Sequence, residues 1–179
     1  MLCDGSNQNF LTFTGIDATY KIFREKFNLV AYGRTDLIRA YHPIAFMITS
    51  HECTEDYEYF YRSLSHITSS LSIPLSICYV VQDASLSEYQ GLKNDFPEAC
   101  VLMCYFHVTS NVIKNYCKYN VPLVKRKQIN TEIYYIHESR NYNEYCMRVN
   151  KFMDGLTERG LIEFRDYFLT QWLTPPFDI

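Results

Sequence analysis

The run between Pro74 and Asp83 constrains the fold most. It reads Leu75-Ser76-Ile77-Cys78-Tyr79-Val80-Val81-Gln82 and is almost continuously apolar. A strand apolar on both sides belongs inside a sheet whose two faces are covered. It closes on a carboxylate, Asp83. A carboxylate costs free energy when desolvated, so an apolar strand has no packing reason to end on one. The run Leu11-Thr12-Phe13-Thr14-Gly15-Ile16-Asp17 ends the same way.

Around these two strands the other elements fall in a definite order. Asn28 to Tyr32 and Ile44 to Thr49 are short apolar, β-branched runs bounded by Asn, Gly and Pro, and they predict two further strands. Thr54 reads as an N-cap, with Glu55 and Asp56 in the first turn. Tyr57, Phe60, Tyr61, Leu64, Ile67 and Leu71 then recur at helical spacing and make one apolar stripe. Ser72 and Pro74 close that helix. A short helix over about 87–94, with Leu86, Tyr89 and Leu92 on one side, is followed by a fifth strand, Ala99 to Cys104. A helix from Phe106 to about Tyr119 turns Val108, Val112, Ile113 and Tyr116 inward. The order β-β-β-α-β-α-β-α implies an α/β domain with a mixed five-stranded sheet and helices on both faces.

From Val121 onward the pattern is helical only. Asn141 to Leu156 carries Tyr142, Tyr145, Val149, Phe152, Met153 and Leu156 on one stripe. Gly160 interrupts it. Leu161 to Leu173 carries Phe164, Tyr167, Phe168 and Trp172, and Pro175-Pro176 stops it. The organisation expected is an α/β domain over 1–120 and an all-helical extension over 121–179.

The net charge of −3 gives no global attraction to nucleic acid, so any DNA contact must be local. The basic cluster Lys125-Arg126-Lys127, with Lys114 and Lys118 nearby, reads first as a solvated helix end. Seven cysteines without regular spacing, no apolar run near the ~20 residues that span a bilayer, and no secretory signal at Met1-Leu2-Cys3-Asp4-Gly5 lead us to expect an intracellular chain with reduced thiols.

Asp17 and Asp83 on neighbouring strands would make the front of a divalent-metal site, because hard cations take oxygen ligands. The alternative is that each Asp starts a turn or caps the next element. Cys104-Tyr105-Phe106-His107 has the spacing of half a zinc site, but Cys78, Cys100, Cys117, His137 and Cys146 supply no matching pair. The bland reading is a buried Cys and a histidine at a helix start.

Taken in order, these segments resemble the transposase domain of Mutator-like elements, the MULE family. The resemblance rests on Asp17-Ala18-Thr19-Tyr20-Lys21 and Pro43-Ile44-Ala45-Phe46, and on the helix with Glu55, Tyr57 and Phe60. It continues through Gln82-Asp83, Phe96-Pro97-Glu98-Ala99 and Cys104-Tyr105-Phe106-His107, and spans about 110 of the 179 residues. The resemblance implies a ribonuclease-H-like fold and DNA strand cleavage and joining by a DDE triad with Mg²⁺ or Mn²⁺. Asp17 and Asp83 would be catalytic residues and the first two metal ligands, and Cys104 and His107 signature residues, with His107 near the site. It also implies DNA, as transposon ends, for a partner, no membrane, room for a homo-oligomer, and a nuclear location.

The chain departs from the family in one respect. The third acid is expected after a segment like Trp172-Leu173-Thr174-Pro175-Pro176, in a motif like Thr-x-Asn-x-x-Glu, and the sequence ends at Ile179 before one. Glu158 and Glu163 lie in helices without the right surroundings. Nor is the family's zinc-binding DNA-recognition region present before Asp17. The expectation is a transposase fragment that is catalytically incomplete. The alternatives are a non-catalytic DNA- or protein-binding module descended from one, or an aromatic-rich interaction domain.

Overall fold

The computed structural model describes residues 13–19, 27–36, 38, 40–73 and 75–176. Leu11, Thr12, Tyr20, Lys21 and Pro74, used above, lie outside them. The elements follow the predicted order. They are β1 (Phe13–Thr19), β2 (Asn28–Thr35), β3 (Tyr41–Thr49), α1 (Thr54–Ser70), β4 (Tyr79–Gln82), α2 (Leu86–Asp95), β5 (Cys100–Met103) and α3 (Tyr105–Asn115). Three more helices follow: α4 (Leu123–His137), α5 (Tyr142–Glu158) and α6 (Ile162–Trp172). The chain divides into two compact units, Met1–Leu102 and Met103–Ile179.

The sheet has the order β3-β2-β1-β4-β5. It is mixed: β1 is antiparallel to β2 and β2 to β3, while β1 and β4 run parallel. The antiparallel register sets Ile16 opposite Tyr32 and Ala18 opposite Val30. These side chains, with Val80, face α1 and α2. Tyr57, Phe60, Tyr61 and Leu64 of α1 and Leu92 of α2 complete one buried cluster with them. Aromatic edges meet there: Phe60 and Tyr61 each approach Tyr32 with ring centroids 6.1 Å apart. The other face of the sheet carries Gly15, Asp17, Ala31, Gly33 and Phe46, since side chains alternate along a strand.

Several boundaries and faces differ from the expectations, each for a local reason. β3 begins at Tyr41 and runs through Pro43, which an edge strand tolerates because proline need not donate to a ladder there. The fourth strand is only Tyr79–Gln82, although Ile77 is buried ahead of it. The N-cap of α1 is Cys53, whose side chain makes no capping hydrogen bond, and Thr54 is already helical. The α1 stripe ends at Leu64, since Ile67 and Leu71 are exposed. In α2 the buried positions are Glu88, Gly91 and Leu92, not Leu86, which is exposed. In α3 Ile113 is exposed, and α4 was not resolved as a separate helix in the sequence reading.

The second unit buries Val112, Tyr116, Ile133, Leu156, Phe164 and Trp172 among others. Gly160 has φ +70, a conformation glycine takes without steric cost. There the Gly160 N–H donates to the Thr157 carbonyl and the Leu161 N–H to the Leu156 carbonyl, a Schellman closure of α5. Two of the three clustered cations serve this unit internally. Lys125 Nζ donates to the Arg159 carbonyl at 2.8 Å. Arg126 Nε donates to the Val121 carbonyl at 3.0 Å, and its guanidinium lies over the Tyr116 ring. Among the described residues no helix is long and apolar enough to cross a membrane.

Candidate functional site

The expectation that the first strand closes on Asp17 is corrected: β1 continues through Ala18 and Thr19, which also pair with β2, so only Asp83 follows the end of its strand. In the parallel pairing of β1 with β4, Phe13 is level with Tyr79, Thr14 with Val80 and Gly15 with Val81. The pairing ends there: Asp17 lies two residues beyond Gly15 in β1, and Asp83 two residues beyond Val81, past the end of β4. Asp17 is exposed and still within β1, paired with Ala31 of β2. Asp83 is half-buried, one residue past β4. Its Oδ1 accepts the Ala84 N–H at 2.7 Å, and its carbonyl accepts the Ser85 N–H at 2.8 Å. Asp83 therefore does shape the turn into α2, as the bland reading of a strand-end Asp requires.

Two further acids belong to this neighbourhood. Ser85 caps α2, its side chain accepting the Glu88 N–H at 3.3 Å. Ser85-x-x-Glu88 has the spacing of a capping box, in which the Glu normally reaches back to the N-cap N–H. Here that N–H is taken by the Asp83 carbonyl. Glu88 is 3% exposed, and its Oε1 is buried without a hydrogen-bond partner. Burial holds its carboxyl well above the usual carboxylate range, and repulsion from Asp83, then Asp17, then Glu52 adds to that. Glu52, in the β3–α1 connection, is half-buried.

Tyr41 crosses the sheet face that carries Asp17. Its hydroxyl donates to the Gly15 carbonyl at 3.3 Å. Burial and then the Asp17 charge push that hydroxyl's pKa up. Gly33 makes room for it: a Cβ at Gly33 would come 2.7 Å from the Tyr41 ring and also strike the His42 carbonyl. The sequence reading missed Tyr41, Glu52 and Glu88. Only the Ser85-x-x-Glu88 spacing, directly after Asp83, could have singled out Glu88.

Cys104 and His107 lie in the other unit. Cys104 is the N-cap of α3 and makes no side-chain cap bond, and His107 stands in the first turn, half-buried. Their spacing puts both on one side of the helix start. Glu158 ends α5 and Glu163 lies in the first turn of α6, both exposed.

The donor set of Asp17 and Asp83 fits one hard cation, because Mg²⁺ keeps several waters and is commonly bound through one or two carboxylates. Among the described residues no three His, Cys, Asp or Glu side chains converge as a metal-binding group. Glu88 is close enough to feel the charges of Asp83, Asp17 and Glu52, and the described acids do not complete a ligand cage. No curated protein matches this chain. The MULE transposase domain matches residues 13–111, more than half of the sequence, and the chain belongs to that family.

Proposed function

We propose that the chain carries part of the metal-dependent centre with which a transposase cleaves and joins DNA strands at transposon ends, in the nucleus. In this reading the fold is ribonuclease-H-like and Asp17 and Asp83 hold a Mg²⁺ or Mn²⁺ ion. What supports it is the parallel pairing of β1 with β4, the strand that carries Asp17 beside the strand that leads into Asp83. A transposase-related function and DNA as the general class of partner follow from family membership.

When bound, the ion would act as a Lewis acid toward a phosphoryl oxygen. The other contributions are the chain's own. Asp17 and Asp83 supply the negative charge that fixes the ion. Asp83 is held by the Ala84 N–H, so its carboxylate is oriented before metal arrives. Burial raises the Glu88 carboxyl above the usual carboxylate range and so disfavours a third negative charge there. Cys104 and His107 stay as signature residues, and no step is assigned to them.

A second reading is favoured by one observation: no three ligating side chains converge among the described residues. In that reading the domain binds DNA or protein without catalysis. Mn²⁺ titration by calorimetry, on the parent chain and on Asp17→Asn and Asp83→Asn, separates the two. A single site in the parent, weakened at least about tenfold (~1.4 kcal/mol) in either variant, is the expected result. No Mn²⁺ binding with DNA affinity retained would establish the second reading. Mn²⁺ binding that neither substitution alters would overturn the assignment of Asp17 and Asp83.

A further inference from the structure

We propose that the outer edge of β3 pairs antiparallel with the same strand of a second copy of this chain, joining the two sheets across a twofold axis. β3 is the end strand of the sheet, and among the described residues only β2 pairs with it. An edge strand presents a row of backbone donors and acceptors, and monomeric proteins usually blunt it with charge, proline or a bulge. In β3 those devices sit at one end. Pro43 and the register irregularity at Ile44, which falls between the Tyr32–Ala45 and Gly33–Pro43 pairs, lie toward the start of the strand. From Ile44 to Thr49 the strand reads Ile-Ala-Phe-Met-Ile-Thr, with no charge, proline or glycine.

The side chains along this edge are apolar on both sides of it. Ile44, Phe46 and Ile48 are 56%, 59% and 60% exposed. A groove of about 350 Å³ runs beside the strand toward α1, where Tyr59 and Ile67 are also exposed. Phe46 and Ile48 of the strand and Tyr59 and Ile67 of α1 line this one groove, and a contiguous exposed apolar surface of this kind marks an interaction site.

The segment is complementary to itself. With the axis at Phe46, Ile44 of one copy faces Ile48 of the other, and Ala45 faces Met47. A small side chain thus meets a long, adaptable one, and no like charges are opposed. An isologous contact of this kind closes as a dimer. Opposed residues of antiparallel strands share a sheet face, so the Asp17 sites of both copies would lie on the same face. They would be separated by five strand spacings, ~24 Å along a flat sheet.

The test is sedimentation equilibrium of the full chain from 1 to ~100 μM, the span over which weak self-association becomes populated, together with amide hydrogen exchange. A concentration-dependent dimer is expected, with the amides of 44–48 that do not bond to β2 becoming protected as it forms. Phe46→Lys and Ile48→Lys should each be monomeric over that range. Leu123→Lys, which alters another exposed apolar residue on α4, should dimerise like the parent. A parent that stays monomeric, a dimer that both β3 variants retain, or a dimer lost in Leu123→Lys would overturn the proposal. If either β3 variant fails to fold by circular dichroism, exchange on the parent decides: a dimer without new protection at 44–48 rejects it.

Discussion

Glu88 is the residue whose environment departs most from what its type prefers. A carboxyl buried without a partner for Oε1 avoids most of the desolvation cost only by staying protonated. Three acids near it act in the same direction as burial. The folded chain therefore binds this proton more tightly than the unfolded chain does. The stabilisation from that proton is full below the ordinary Glu value of about 4.3, and it is lost as pH rises through the raised folded value. Glu88→Gln has no proton to lose. Its stability relative to the parent should therefore grow with pH. One unit of pKa elevation is worth ~1.4 kcal/mol, and urea denaturation at pH 5 and pH 8 should reveal a widening gap of that order or more. A constant difference at the two pH values would contradict the raised proton affinity.

At the scale of the element, α1 has a buried half and an exposed half, although its apolar residues continue along both. Phe60 is 6% exposed and packs edge-on against Tyr32 and Tyr61. Ile67, two turns later on the same stripe, is 54% exposed. Phe60→Ala should cost roughly 3–5 kcal/mol, the range for truncating a buried aromatic. Ile67→Ala should cost less than about 1 kcal/mol, because it leaves no cavity. Guanidinium denaturation of the two variants, with unchanged slope, makes the comparison. Equal losses would mean that the helix seats its whole stripe.

At the scale of the whole molecule, the proposed pair of Asp17 and Asp83 would hold one cation, and phosphoryl transfer on two metals needs ligands for both ions. Without the second ion, the attacking and leaving oxygens are not both stabilised, and losing a preorganised electrostatic contribution of this kind costs about 10²–10³ in rate. The chain alone is therefore expected neither to nick nor to join supercoiled DNA with Mn²⁺, so that parent and Asp83→Ala behave alike in a gel assay. Robust nicking by the parent that is lost in Asp83→Ala would refute this, and would turn attention to Glu158, Glu163 and Glu88 as the third acid.

Much of this architecture is written in local pattern. Apolar runs of period two and stripes at three- and four-residue intervals were enough for the β-β-β-α-β-α-β-α order, because those periods reflect which face of an element meets a core. The same locality marks Asp83 as a strand-end acid and Gly160 as a helix stop, while β1 runs on two residues past Asp17. What local pattern cannot carry is which strand lies beside which, and how far a face extends. That the strand carrying Asp17 lies beside the strand leading into Asp83 comes from the β1–β4 pairing, between segments far apart in the chain. The exposure of Ile67 depends on where the core ends beneath α1. Glu88 looks like an ordinary capping residue until the folded chain diverts the Ser85 N–H to Asp83 and encloses the carboxyl. Tyr41 reads as a residue ahead of a strand. It reaches the site only because Gly33, on the neighbouring strand, leaves room for its ring. Each of these depends on non-local packing, which the spacing of residues along a single element does not encode.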